Sequence, residues 1–236
     1  MAGDDMLSDR EGLQMSDLEV PGDGGLGDQI QTETAKISLL KAKILRIELA
    51  FPTVASRTVQ EISRDLETWL GDLPGPMRLE ALRNGTEMSD DHRRSVYYVH
   101  LLYQGARMLL YRRITSQHIQ QDLATRPYEE PVFNSPTMLQ ALEDGRRVAD
   151  MTSHTLRILQ DENGIFKRCW LVIFQTFTSC TLILFEAAQK QLCGMSEELW
   201  KFDLEMARAP LSTLEFCGTL DPVARNFYLS LISLLQ

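Results

Sequence analysis

Apolar positions recur along this chain at spacings of three and four residues, the period of a helix with one buried face. Ile37, Leu40, Ile44, Ile47 and Ala50 form the first such stripe, and Pro52 ends it. Thr58 and Glu61 make a Thr-x-x-Glu capping pattern ahead of Ile62, Leu66, Trp69 and Leu70, which predicts a second helix. The run from Gly71 to Pro76 then breaks the chain. Asp90 and Asp91 favour the next helix start, because carboxylates there cap free N–H groups and meet the positive end of the helix dipole. That helix is expected to run to about Gln120, followed by a loop holding Pro127, Pro131 and Pro136.

Ser135 and Pro136 suit the N-cap and first position of a helix with the seam Met138, Leu142, Ala149, Thr152, Leu156 and Leu159. Asn163-Gly164 stops it. Another long helix is expected from about Phe166 to Cys193, closed by Gly194. Ser196-Glu197-Glu198 opens one that ends near Gly218, and Asp221-Pro222 opens the last. No sustained period-two alternation, hairpin signal or fixed-period repeat is present. The pattern predicts an all-α protein of about seven helices packed as one irregular bundle.

Within this pattern, Cys169 to Phe185 carries no charged residue over 17 positions. A membrane span usually needs about 20 predominantly apolar residues. This run is shorter and holds Gln175, Thr176, Thr178, Ser179 and Thr181. A central bundle helix, buried on most faces, is the expectation.

Charge divides the chain in two. Its net charge is −9, yet residues 1–34 hold nine acids against one base, Arg10, leaving the remainder nearly balanced. This segment is also rich in Gly and lacks aromatic residues, so it is expected to be a disordered acidic tail. Sparse apolar residues among the acids (Met6, Leu7, Leu13, Met15, Leu18, Val20) fit either an activation segment or a solvated leader. The acidic N-terminus has no apolar run of the kind that marks a signal peptide. The helical domain is expected over residues 35–236.

Candidate chemistry is sparse. Cys169, Cys180, Cys193 and Cys217 form no Cys-x-x-Cys pair and read as reduced core thiols of an intracellular protein. His92, His100, His118 and His154 make no His-Glu-x-x-His pattern, and no nucleophile elbow, phosphate-binding loop or dinucleotide fingerprint appears. Asp90-Asp91-His92-Arg93-Arg94 lacks the third acid of an aspartate-rich metal motif. Arg93, Arg94, Arg107, Arg112 and Arg113 interleave with Tyr97, Tyr98, Tyr103 and Tyr111, which invites a nucleic-acid reading. Helical geometry scatters them over several faces, and the near-neutral body lacks the basic excess that phosphate binding uses. Tyr103, Leu110 and Ile114 are expected to pack inward, with arginine stems covering the rim. No catalytic, cofactor-binding or metal-binding residue is assigned, and no cofactor is expected.

Trp69 with Leu73-Pro74, then His100, Tyr103, Leu109, Leu110 and Arg112, resemble the middle homology region of fungal zinc-cluster transcription factors. There, a helix ending in Trp and followed by Leu-Pro precedes a His-x-x-Tyr-His…Leu-Leu-x-Arg-Pro helix. Gln104 stands where that family commonly has His, and Arg113 where it commonly has Pro. Leu211, Leu214, Cys217 and Asp221 to Ala224 are similar to its Cys-x-x-x-Leu…Asp-Pro-x-Ala ending. The six-cysteine zinc cluster and the Gly-Arg-Pro segment of the first half have no counterpart, so the chain looks like the C-terminal half of such a protein.

The resemblance implies a nuclear, helical regulatory domain that is not an enzyme. It implies partners in the transcription machinery or a DNA-binding regulator, a possible small-molecule effector, and neither direct nucleic-acid contact nor membrane insertion. The alternative is a stand-alone helical protein that binds a small apolar ligand or a protein partner, with no transcriptional role and a cytoplasmic location. An uncharacterised enzyme ranks third.

Overall fold

The computed structural model describes residues 25–50, 56–83, 88–125, 136–192 and 194–235. Among them are eight α-helices and no strand: α1 (Leu26–Ala50), α2 (Ser56–Asp72), α3 (Leu79–Arg83), α4 (Asp90–Thr125), α5 (Pro136–Asp161), α6 (Trp170–Leu192), α7 (Glu197–Gly218) and α8 (Pro222–Ile232). A short 3-10 turn, Gly75–Met77, joins α2 to α3. The all-α expectation holds.

Two helices organise the bundle. α4 packs against α1, α2, α5 and α6, while α6 packs against α4, α5, α7 and α8. Their shared core includes Leu101, Met108, Leu156, Leu159, Ile173, Ile183 and Leu214, all fully buried. Burying side chains of this size stabilises the fold by about 1.5–3 kcal/mol each, as an upper estimate. α6 is long and apolar enough to span a membrane, and 56% of that apolar window is buried inside the bundle. Polar side chains on its buried face turn back on the helix. Thr176 and Thr178 donate to the carbonyls of Val172 and Phe174, and Ser179 to that of Thr176.

Helix ends follow local rules where those rules are strong. Asp221 accepts from the N–H groups of Val223 and Ala224 at 2.9 and 3.0 Å and caps α8, with Pro222 at its first position. At the end of α5, Asn163 has φ 54° while Gly164 N–H bonds to the Leu159 carbonyl. Gly194 plays the same part after α6, with φ 68° and Met195 N–H on the Lys190 carbonyl. Both are left-handed caps that satisfy otherwise orphaned carbonyls.

Several elements differ from expectation, among them α4, which runs to Thr125 and not to about Gln120. α1 begins at Leu26, not beyond residue 34, and Ile30 is buried about two turns ahead of the predicted stripe. Residues 25–34 thus join the helical domain, and residues 1–24 lie outside the described residues. Thr58 is inside α2, which already runs from Ser56, so it is not the N-cap. α3 had no periodic signal in its five residues. α6 starts at Trp170, four residues after Phe166. Pro52, Pro127, Pro131, Ser135, Cys193 and the side chains of Ala50, His118, Met138 and Leu142 fall outside the described residues.

Candidate functional site

Trp69, Leu73, His100 and Tyr103, four of the residues that carry the resemblance, meet where α2, the α2–α3 connection and α4 converge. Trp69 stacks on Tyr103 with ring centroids 5.4 Å apart. The buried His100 places Nε2 2.8 Å from the Met77 carbonyl, which fixes the connection to α4. Burial lowers the His100 pKa against the opposing pull of that hydrogen bond, so the ring is neutral and Nε2–H donates. Arg78 ties the same segment from outside, donating Nε to the Leu73 carbonyl and Nη2 to that of Gly71.

Beside this junction lies a cleft of about 390 Å³ lined by Leu70, Leu73, Leu79, Tyr103, Met151 and the polar residues Glu67, Arg78, Glu80, His100 and Gln104. An adjoining hollow of about 240 Å³ shares Leu79, Glu80 and Met151 and adds Tyr97, His154, Thr155 and Ile158. The first volume lies within the range of about 300–1,000 Å³ that small-molecule sites occupy. Gln104, only 1% exposed, donates from Nε2 to Thr155 Oγ1 at 3.2 Å. Its Oε1 is buried with no hydrogen-bond partner among the described residues. Sequence reading noted Gln104 only as a departure from the family pattern. A lone amide inside the apolar run from Val99 to Leu110 was the available signal.

A second polar feature sits inside the bundle. Asp203 of α7, 1% exposed, receives Lys190 Nζ of α6 at 2.6 Å and faces Arg146 of α5 at 3.4 Å. Lys190 also contacts Glu186 at 3.0 Å, and Arg146 reaches Glu186 and Asp150 at 3.6 and 3.7 Å. Burial raises the Asp150 and Glu186 pKa values against their cations, whereas Lys190 is raised because its carboxylate contacts outweigh burial. The network pins α5, α6 and α7 together. The hollow that Arg146 and Glu186 help to line holds only about 20 Å³, so the network reads as structural in placement.

The arginine and tyrosine cluster is spent on internal contacts. Arg107 donates to the hydroxyls of Tyr103 and Tyr111 and lies over both rings. Arg93 pairs with Glu162 at 2.9 Å, and Arg94 covers the Phe166 ring. Tyr103 and Leu110 are buried and Ile114 half-buried, as the helical register implies. Cys180 is buried with its thiol pushed up to about 12 by desolvation, and Cys217 to about 11, so both are protonated at neutral pH and poor nucleophiles. Among the described residues, no group of three or more His, Cys, Asp or Glu side chains is arranged to hold a metal ion.

Helix packing defines a helical bundle with an amphipathic cleft and an adjoining hollow beside α4. Comparison with protein-family models, curated proteins and solved structures returned no match.

Proposed function

We propose that this chain is a transcription-regulatory helical domain that works through protein partners or a ligand-gated internal contact. The observation that carries this reading is that Leu73, His100 and Tyr103 line one cleft, with Trp69 stacked on Tyr103. The motif residues that suggest a regulatory domain are those that would sense an occupant of the cleft. A ligand there would touch the α2–α3 connection on one side and α4 and α5 on the other. Its differential affinity for two arrangements of that connection would shift their populations. Exposed apolar side chains around the α6–α7 turn, Leu192, Met195, Leu199 and Phe202, supply surface for a protein partner. Nuclear localisation belongs to the same proposal.

The test is a reporter assay with the chain tethered to a foreign DNA-binding domain, with and without residues 1–24, the part ahead of α1. The reading expects expression to change under at least one inducing condition. Unchanged expression in every condition, with both versions, counts against it. A second reading, a stand-alone ligand-binding protein, draws on the cleft alone. Ligand co-purifying with a protein excluded from the nucleus would favour it.

A further inference from the structure

We propose that the cleft between the α2–α3 connection, α4 and α5 is a binding site for a small apolar amine. The proton of one hydroxyl fixes the orientation of a buried amide at the cleft. Thr155 Oγ1 lies 2.9 Å from the Met151 carbonyl and donates its proton there. The hydroxyl can then only accept from Gln104, so the Gln104 amide must present Nε2 to it. Flipping the amide would set two acceptors against each other. The orientation therefore leaves Oε1 as the open atom, a buried acceptor in a residue that lines the cleft. A ligand that repays its burial must bring an N–H or O–H donor.

Charge at the cleft narrows the class. Glu67 and Glu80 line it, are exposed, and have no ion-pair partner among the described residues. Arg78 supplies one positive charge, but its Nε and Nη2 already donate to the Leu73 and Gly71 carbonyls respectively. The remaining lining polar group, His100, has its Nε2 hydrogen committed to Met77. The lining thus carries one net negative charge and an open acceptor. A carboxylate or phosphate would meet repulsion at both, while an ammonium group is attracted to one and can donate to the other. Leu70, Leu79, Tyr103 and Met151 receive the apolar body. This inference deepens the regulatory reading by naming its effector class, and binding is measured without any transcriptional output.

The experiment is isothermal titration of the purified full chain with 1-naphthylmethylamine and, as the matched acid, 1-naphthylacetate. The amine is expected to bind saturably with one-to-one stoichiometry, and the acid at least about tenfold more weakly. Glu80→Lys, at an exposed position, should keep the wild-type circular dichroism and melt while weakening the amine about fivefold or more. Gln104→Leu should weaken it about tenfold. If Gln104→Leu does not fold, Glu80→Lys still decides. No saturable amine binding, equal affinity for the acid, or an unchanged affinity in Glu80→Lys overturns the proposal. Binding with a tethered reporter that ignores the amine removes the regulatory reading and leaves the site standing. A responsive reporter without amine binding removes only the site.

Discussion

Lys190→Met should destabilise this protein far more than Asp203→Asn, although the two side chains are partners. The buried network holds three carboxylates, Asp150, Glu186 and Asp203, against two cations, Arg146 and Lys190. Removing Lys190 leaves three negative groups around one cation, and takes away both of the short contacts, at 2.6 and 3.0 Å. Breaking a buried pair in this way costs about 3–5 kcal/mol, because the stranded charge remains desolvated. Asp203→Asn leaves two carboxylates with two cations and keeps an acceptor for Lys190. Its cost is that of one weakened charged hydrogen bond, about 1.5–3 kcal/mol.

Urea denaturation of both variants at pH 7, with m-values checked for constancy, reads the difference directly. Acidification should then narrow it. Asp150 and Glu186 have folded pKa values above their ordinary 3.8 and 4.5. The folded state therefore binds protons first, and each of these two groups contributes more stability as pH falls through its folded value toward the unfolded one. With Lys190 gone, its opposing pull on Glu186 is lost and this effect grows. Equal costs for the two variants, or a Lys190→Met deficit that widens between pH 7 and pH 5, would refute the reasoning.

Gly105 marks a close approach of α4 to α6, since a Cβ there would stand 1.9 Å from Nε2 of Gln175, itself 1% exposed. Gly105→Ala should therefore cost stability through overpacking, offset in part by about 1 kcal/mol of helix propensity. In a Gln175→Ala background the same change should become stabilising. A double-mutant cycle from thermal melts is expected to give a coupling of about 1–3 kcal/mol, and additivity would contradict the packing described. His100, whose folded pKa lies below its ordinary 6.5, should make wild type lose stability relative to His100→Gln as pH falls below 6.5, because the unfolded state takes up the proton first. Parallel denaturation midpoints for the two proteins from pH 7 to pH 5 would show the ring is not buried neutral.

How much of this was legible in the sequence depended on the range of the interaction. The starts of α5 and α8 and the stops after α5 and α6 lie where Pro136, Asp221, Asn163 and Gly194 place them, because caps act over three or four residues. The start of α1 was obscured by composition. Gly25 and Gly27 flank Leu26, and the surrounding acids outweighed a Leu26, Ile30, Ile37 register that tertiary contact with α4 completes. α3 is too short for any period to show. In the charge network, Arg146–Asp150 and Glu186–Lys190 are four-residue pairs visible in the sequence. Asp203 comes from another helix, so its pairing with Lys190 and Arg146 was not visible. The cleft was hidden for the same reason. Gln104 and Thr155 are 51 residues apart, and only the packing of α4 on α5 turns an unremarkable amide into an oriented one.

The central claim is that regulatory output passes through the cleft beside α4. Its most direct test is the tethered reporter carrying Met151→Trp, a bulky replacement at an exposed position shared by both hollows. With folding verified by an unchanged melt, the account predicts that wild type responds to inducing conditions while Met151→Trp holds one fixed level of expression. An identical response from both proteins would contradict it.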